Sequence, residues 1–250
     1  MARRRRTTEA ATPQGLLDRL PLDAGQAADL SESGLLELAL THRSYSYEND
    51  GLPHNERLEF LGDAVLQLAV TEHLYATHPT LPEGDLARRR AATVSTRALA
   101  VIASKLDLGA YVRLGRGEDL TGGRAKASIL ADTTEAVIGA THLALGQNIS
   151  RHFVLELLRP LLDSDEFLET GYDFKSRLQE IAAAEGESVT YEITESGLEH
   201  QNTFTATVTV EGIVTARGDG ASKKDSELAA AQNAVRGILA ERGETLIPRG

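Results

Sequence analysis

From residue 16 to residue 162, apolar side chains recur three and four positions apart, the spacing of helices that share a core. The pattern is clearest over residues 58–74, 99–108, 129–145 and 153–162. Breaks rich in Gly and Pro separate these segments: Gly51-Leu52-Pro53, Pro79 to Gly84, and Gly115 to Gly123. No period-two strand pattern interrupts them, so this part of the chain is expected to be all-α. After Asp163-Ser164-Asp165 the pattern changes. A helix is expected over residues 173–185, followed by Thr203-Phe204-Thr205-Ala206-Thr207-Val208-Thr209-Val210. There Phe204, Ala206, Val208 and Val210 share one face and threonines the other, as in a half-buried antiparallel strand. Residues 189–193 and 213–216 are its expected neighbours. Ser222 caps a last helix with Leu228, Ala231, Val235, Ile238 and Leu239 on one stripe. The order α-β-β-β-α defines a separate α+β domain.

The expected layout is a disordered basic tail (1–14, carrying Arg3 to Arg6), an all-α domain (15–163), a linker (164–171), the α+β domain (172–242) and a short tail (243–250). There is no cysteine, which excludes disulfides and thiolate metal sites and suits a reducing, cytoplasmic setting. No apolar run approaches the ~20 residues of a membrane span. The basic N-terminus lacks the apolar stretch of a secretory signal. A net charge of −11 argues by itself against non-specific nucleic-acid binding.

The charge that changes the picture is acidic and lies inside apolar helices. In "ERLEFLGDAV", Glu56, Glu59 and Asp63 fall within an arc of about 60° on a helical wheel. The rest of that helix is apolar nearly all round, which reads as a buried element, Phe60 included. Gly62, beside the acids, lets another backbone come close. A second helix, Ser128 to Ile138, carries Asp132 and Glu135 three residues apart on one face. Like charges about 4 Å apart repel by roughly 4 kcal/mol at an effective dielectric near 20. Either arginines such as Arg57 offset this at the surface, or a divalent cation does so inside. Carboxylates without Cys or nearby His suit Mg²⁺ or Mn²⁺ rather than Zn²⁺. The Glu-x-x-His motif of a di-iron bundle is missing from both helices. Mg²⁺ on few carboxylates usually meets phosphates, which points to phosphodiester chemistry.

The run from His54 to Leu66 resembles the signature of the ribonuclease III family, and Ile129 to Ala136 resembles that family's second motif. The resemblance implies an all-α endonuclease domain for double-stranded RNA. It implies that Glu59, Asp63, Asp132 and Glu135 hold a catalytic Mg²⁺, with Mn²⁺ able to substitute, and that Asp63 and Glu135 are catalytic. Glu56, and Glu83 in Pro82-Glu83-Gly84-Asp85, become supporting acids. It further implies a homodimer in which Phe60 contacts the partner subunit. The expected products are 5′-phosphate and 3′-hydroxyl ends with short 3′ overhangs, in rRNA and mRNA processing and decay. No small-molecule cofactor beyond the metal and no membrane partner are expected. Arg88-Arg89-Arg90, Arg113 and Arg116 lie close in sequence to these acids, as do Arg124 and Lys126. They are either phosphate contacts or solvated charge. Arg124 and Lys126, just before the second acidic helix, are expected to meet RNA.

Gly218 to Lys224 reads as a glycine-rich approach, a Ser cap and two lysines at a helix N-terminus, an anion site. At the end of an α-β-β-β-α domain it is similar to the "GxGxSKK" run of double-stranded RNA-binding domains. The resemblance implies that Ser222, Lys223 and Lys224 meet phosphates across the major groove. Gln179, Glu180 and the loop with His200 would meet minor grooves. This chain departs from the pattern at Gly197-Leu198-Glu199-His200, which lacks the usual proline, and at Ser226-Glu227-Leu228. Residues 172–242 carry seven basic and twelve acidic side chains, so modest, salt-sensitive affinity is expected. The alternative functional class is a regulator that binds double-stranded RNA without cutting it. Filled positions at Glu59, Asp63, Asp132 and Glu135 favour the enzyme.

Overall fold

The computed structural model describes residues 10–163, 173–196 and 203–243. The Arg3 to Arg6 tail, residues 164–172, the loop with His200 and the last residues lie outside them. The chain divides into two compact units, one up to Thr170 and one from Gly171 to Arg249.

In the first unit the described residues form ten α-helices. They are α1 (Gln14–Leu17), α2 (Ala24–Glu32), α3 (Leu35–Ala39), α4 (Arg43–Glu48), α5 (Glu56–Thr77), α6 (Glu83–Thr93), α7 (Thr96–Lys105), α8 (Arg116–Leu120), α9 (Ala127–Leu145) and α10 (Gln147–Leu162). Local signals set several ends: Asp23 and Gln26 form a capping box on α2, and Ser95 Oγ accepts from the Ala98 amide at 3.2 Å on α7. Helix α9 is the central strut, packed by α5, α7, α10 and α3. Its buried Thr133, Thr134 and Thr141 donate their hydroxyls to the carbonyls four residues back at 2.7–2.8 Å, which makes these polar side chains compatible with burial.

The crossing of α5 and α9 depends on two glycines. A Cβ on Gly62 would fall 1.7 Å from the Glu135 carbonyl oxygen, and one on Gly139 would fall 2.3 Å from that of Leu58. The two backbones touch, and that contact sets the acids of the two helices side by side.

Helix α5 departs from the expectation of burial all round. Leu58, Gly62, Leu66, Ala69, Val70 and Leu74 face the core. Phe60, Leu68 and Tyr75 lie on the opposite side, 82%, 51% and 76% exposed. The apolar periodicity is genuine, but among the described residues its second face stays exposed. The core reading of Phe60 is therefore corrected.

The second unit consists of α11 (Phe174–Ala184), β1 (Val189–Ser196), β2 (Thr203–Val210), β3 (Val214–Gly220) and α12 (Lys223–Arg242). The strands form one antiparallel sheet in the order β1-β2-β3, with Val189 opposite Val210 and Val208 opposite Ala216. Ala206, Val208 and Val210 form the buried face, against Phe174 and Leu178 of α11 and Ala230, Ala234 and Val235 of α12. Two readings change. Strand β3 runs on through Gly218-Asp219-Gly220, so these residues are sheet rather than a loop approaching an anion. A Cβ on Gly218 would lie 2.1 Å from the Ala230 amide nitrogen, and one on Gly220 2.4 Å from that of Ser226. The glycines are there to let α12 lie against the strand. Leu228, assigned to the buried stripe, is at its edge and 42% exposed.

Candidate metal centre and nucleic-acid interface

The α5–α9 crossing brings Glu59, Asp132 and Glu135 together. Each offers one carboxylate oxygen, and the three oxygens lie within 4.8 Å of one another. Asp63 stands outside this trio. It is exposed and accepts from Gln67 Nε2 at 3.3 Å, yet its charge still acts on Glu135. Glu56 is also outside, 3.3 Å from Arg43 Nη1 and 3.8 Å from His54 Nδ1. Glu83 lies exposed in the first turn of α6 and does not join the trio.

The electrostatics show the cost of this convergence. Burial pushes the Glu135 carboxyl up to about 8, helped by the charges of Asp63, Asp132 and Glu59. Burial also raises Glu59, with Asp132 and Glu56 adding to the effect. Asp132 is raised by burial too, against the opposing pull of His42 and Arg43. Among the described residues, no Lys or Arg pairs within 4.0 Å with Glu59, Asp63, Asp132 or Glu135. The reading of surface acids neutralised by arginines does not describe them. An all-oxygen carboxylate set without a paired Lys or Arg among the described residues fits a hard divalent cation.

Glu59 and Asp132 line a cleft of about 1100 Å³. Its other wall is built by α4 and the segment before α9. The Gly115 amide donates to Ser44 Oγ at 2.9 Å, and the Arg116 amide donates to Glu48 Oε2 at 2.8 Å. The cleft brings in His42, Arg43 and Asn55, which the sequence reading did not single out. His42 lies beside Asp132 and Glu118, and burial holds its pKa below the usual imidazole value. The polar run His42-Arg43-Ser44 is visible in the sequence, but only the tertiary fold carries it to acids on α5 and α9.

The basic residues near the site divide. Lys126 lines the cleft, donating to Glu118 at 2.5 Å and to Thr121 at 3.3 Å, and this pairing holds Glu118 below the usual carboxylate range. Arg124, expected to meet RNA, turns inward instead. Its Nε donates to Asp119 at 2.7 Å, and its Nη1 donates to the carbonyls of Gly109 and Val112 at 3.0 and 2.8 Å. That guanidinium holds the loop before α9 in shape. Arg88 pairs with Asp85 at 2.6 Å, Arg89 is buried beside His78, and Arg90 donates to Thr71 at 3.1 Å. Arg89 and Arg90 tie α6 to the end and body of α5, whereas the Arg88 pair lies within α6.

In the second unit Ser222 caps α12, its Oγ accepting from the Asp225 amide at 3.1 Å. Lys223 and Lys224 are exposed in the first turn, and neither is in an ion pair among the described residues. Gln179 and Glu180 are exposed on α11, with Arg177 3.1 Å from Glu180. Other basic side chains of this unit are committed to acids: Lys175 to Glu227, and Arg242 to Glu185 at 3.3 Å.

Residues 32–161 match the family model described as Ribonuclease-III-like, and residues 174–238 match the double-stranded RNA binding motif. The chain belongs to the ribonuclease III family. It is 55% identical over 214 residues to "Ribonuclease 3" of Streptomyces coelicolor, covering 85% of this chain and 78% of that protein. It is 50% identical over 236 residues to "Ribonuclease 3" of Leifsonia xyli, covering 94% and 96%. The nuclease domain of ribonuclease III from Campylobacter jejuni superposes with a TM-score of 0.54 at 38% identity, over 60% of this chain and 97% of that one. The chain is thus a ribonuclease III-type endoribonuclease, with a helical nuclease domain that carries the acidic cluster and an α-β-β-β-α domain that binds double-stranded RNA. Among the described residues, no helix is long and apolar enough to cross a membrane.

Proposed function

We propose that the chain hydrolyses phosphodiesters of duplex RNA at the Glu59–Asp132–Glu135 cluster with Mg²⁺, and that Asp63 completes the site. The convergence of three carboxylates within 4.8 Å, without a basic partner among the described residues, carries this reading. Bound Mg²⁺, or Mn²⁺ in its place, supplies Lewis acidity toward water and the phosphoryl oxygens. Glu59, Asp132 and Glu135 offer the holding oxygens. Glu135, the most strongly perturbed of them, must shed its proton to do so. Asp63, exposed one helical turn beyond Glu59, is the proposed acceptor of the proton that the attacking water releases. A water oxygen adds to phosphorus and the bond to the 3′ oxygen breaks. The 3′ oxygen takes up a proton, leaving 5′-phosphate and 3′-hydroxyl ends.

The exposed face of α5 supports a homodimer with Phe60 in its interface, because an open apolar stripe on a central helix calls for a partner surface. The Campylobacter neighbour is described for a region involved in dimer formation of its nuclease domain. Lys223, Lys224 and Ser222 at the start of α12, with Gln179 and Glu180 on α11, are the proposed grips on RNA shape. Of Arg124 and Lys126, Lys126 is the one that lines the cleft. Processing and decay of ribosomal and messenger RNA in the cytoplasm is the proposed setting. The decisive experiment incubates the full chain with long duplex RNA, with Mg²⁺ and with chelator, beside Glu135→Gln. Cutting that needs Mg²⁺ and is lost in the variant is expected. Equal cutting by the variant would remove the site assignment.

A further inference from the structure

Asn55 immediately precedes α5 and is 2% exposed. Its main chain is fully used: the amide donates to the Thr41 carbonyl, and the carbonyl accepts from the Leu58 and Glu59 amides, all at 2.9 Å. Its side chain does not cap the helix. Nδ2 is buried with no hydrogen-bond partner, and the residue lines the same cleft as Glu59 and Asp132. Buried amide donors are paired in the great majority of folded proteins, so an unpaired one in a residue that lines a cleft points to a partner that enters the cleft.

Arg43 lines that cleft too, at the start of α4. Its side chain is largely exposed, and its Nη1–Glu56 distance of 3.3 Å is longer than the ~2.8 Å of a strong charge-assisted bond. Its charge acts on both Glu59 and Asp132. Lys126, the other Lys or Arg on this wall, is held by Glu118 and Thr121. Arg43 is thus the cleft cation best able to change partner. A guanidinium fork matches phosphate, and A-form RNA is recognised through phosphates and 2′-hydroxyls.

We propose that Arg43 and Asn55 bind the RNA backbone beside the reacting phosphodiester. Arg43 leaves Glu56 for a phosphate oxygen, and Asn55 Nδ2 donates to an oxygen of the same nucleotide. Glu56 then acts as the placeholder that keeps Arg43 poised over the cleft when RNA is absent. The inference rests on the reading that RNA is cut at the carboxylate cluster.

The test measures kcat and KM of the full chain on a duplex RNA in Mg²⁺ at several salt concentrations. Arg43→Ala is expected to raise KM about tenfold and to lower the salt slope of log KM by about one, as for one lost phosphate contact. Arg43→Lys keeps the slope. In a Glu56→Ala background Arg43→Ala must still raise KM. If its effect vanishes there, or the salt slope is unchanged, Arg43 only holds Glu56 and the proposal fails. Asn55→Ala is expected to raise KM while leaving the thermal midpoint equal or higher, because it deletes an unpaired donor. A lowered midpoint with unchanged KM marks a structural amide and overturns the assignment. Asn55→Asp, which keeps the shape, must raise KM at least as much, and an unchanged KM again overturns it. Substrates with a single 2′-deoxy or methylphosphonate substitution beside the cleavage site locate the acceptor: the one whose penalty disappears in Asn55→Ala removes it. If both penalties persist, Asn55 touches no backbone oxygen. Wild-type cutting by Glu135→Gln refutes the site itself, whereas an inactive Glu135→Gln beside wild-type Arg43→Ala and Asn55→Ala refutes this inference alone.

Discussion

Gly62 on α5 meets the main chain of Glu135 on α9 with no space for a side chain: a Cβ there would lie 1.7 Å from the Glu135 carbonyl oxygen. The atom in the way is backbone, which cannot rotate aside. Gly62→Ala must therefore push the helices apart, and the push separates Glu59 from Asp132 and Glu135. We expect a stability loss of about 3 kcal/mol, the upper range for overpacking a tight core, with cleavage falling alongside. Urea midpoints of the two proteins measure it. A wild-type midpoint for Gly62→Ala is incompatible with this crossing.

If Glu59, Asp132 and Glu135 hold the cation, stability should depend on it. Mg²⁺ at a hundred times its dissociation constant should stabilise the native chain by about 2.7 kcal/mol. Glu135→Gln removes a ligand and also relieves repulsion. Its melting temperature in chelator should equal or exceed that of the parent, and Mg²⁺ should raise it little. Cleavage should drop at least about 10²-fold, the usual loss for one transition-state electrostatic contact. Thermal melts with and without Mg²⁺, paired with cleavage assays, decide this.

The raised carboxyl of Glu135 gives a pH dependence with a definite sign. With a folded pKa of about 8 against an ordinary 4.5, the folded state holds the proton more tightly than the unfolded one. That stabilisation is full below the ordinary value and is lost as pH rises through the folded one. Glu59 and Asp132 shift in the same direction. In chelator, stability should fall as pH rises through this window, and Glu135→Gln should flatten the fall. Metal binding needs the deprotonated acids, so the Mg²⁺ concentration for half-maximal cutting should fall over the same window. A cation requirement independent of pH would contradict the assignment.

The sequence made some of this legible and hid the rest, for reasons that differ by residue. Helical spacing places Glu59 and Asp63 on one stripe and Asp132 with Glu135 on another, and two acidic stripes without basic partners already suggest a shared cation. Spacing alone could not show that Asp63 falls outside the closest trio, because that depends on where α5 crosses α9. Phe60 has the periodicity of a core residue, and periodicity records shared faces without saying which face has a neighbour. Arg124 has the charge of an RNA contact, but charge does not reveal that three of its hydrogen bonds, at 2.7–3.0 Å, go to Asp119 and to the carbonyls of Gly109 and Val112. The alternation in residues 203–210 gave β2 with its observed ends, since a half-buried strand encodes its own register. The continuation of β3 through Gly218 and Gly220 was hidden because glycine there serves the approach of α12, not a turn.

Phe60 offers a test of assembly. Its ring is 82% exposed on the face it shares with Leu68 and Tyr75. In a two-fold dimer the same residue is buried twice. Burying one Phe contributes about 1.5–3 kcal/mol, so Phe60→Ala should weaken the dimer by at least about 10²-fold. Sedimentation over a concentration series measures the shift. A monomeric parent, or an unmoved dissociation constant, would show that this face pairs with something other than a second copy.

The start of α12 is the proposed grip of the second unit on RNA. Lys223 and Lys224 are exposed there and outside ion pairs among the described residues, whereas Lys175 and Arg242 are committed to Glu227 and Glu185. Few basic side chains are left to offset the acidic surface of this unit. On that proposal each lysine should carry an unusually large share of the phosphate contact. Lys223→Ala and Lys224→Ala should each weaken duplex binding about tenfold and lower the salt slope by about one. The loss should be uniform across duplex sequences, because phosphates carry no base identity. Ser222→Ala should act differently. It removes the cap of α12, costing about 1 kcal/mol of stability in this unit while leaving the salt slope unchanged. Binding titrations of the three variants at several salt concentrations separate a charge contact from a cap. An unchanged slope in both lysine variants would move the RNA grip away from this helix end.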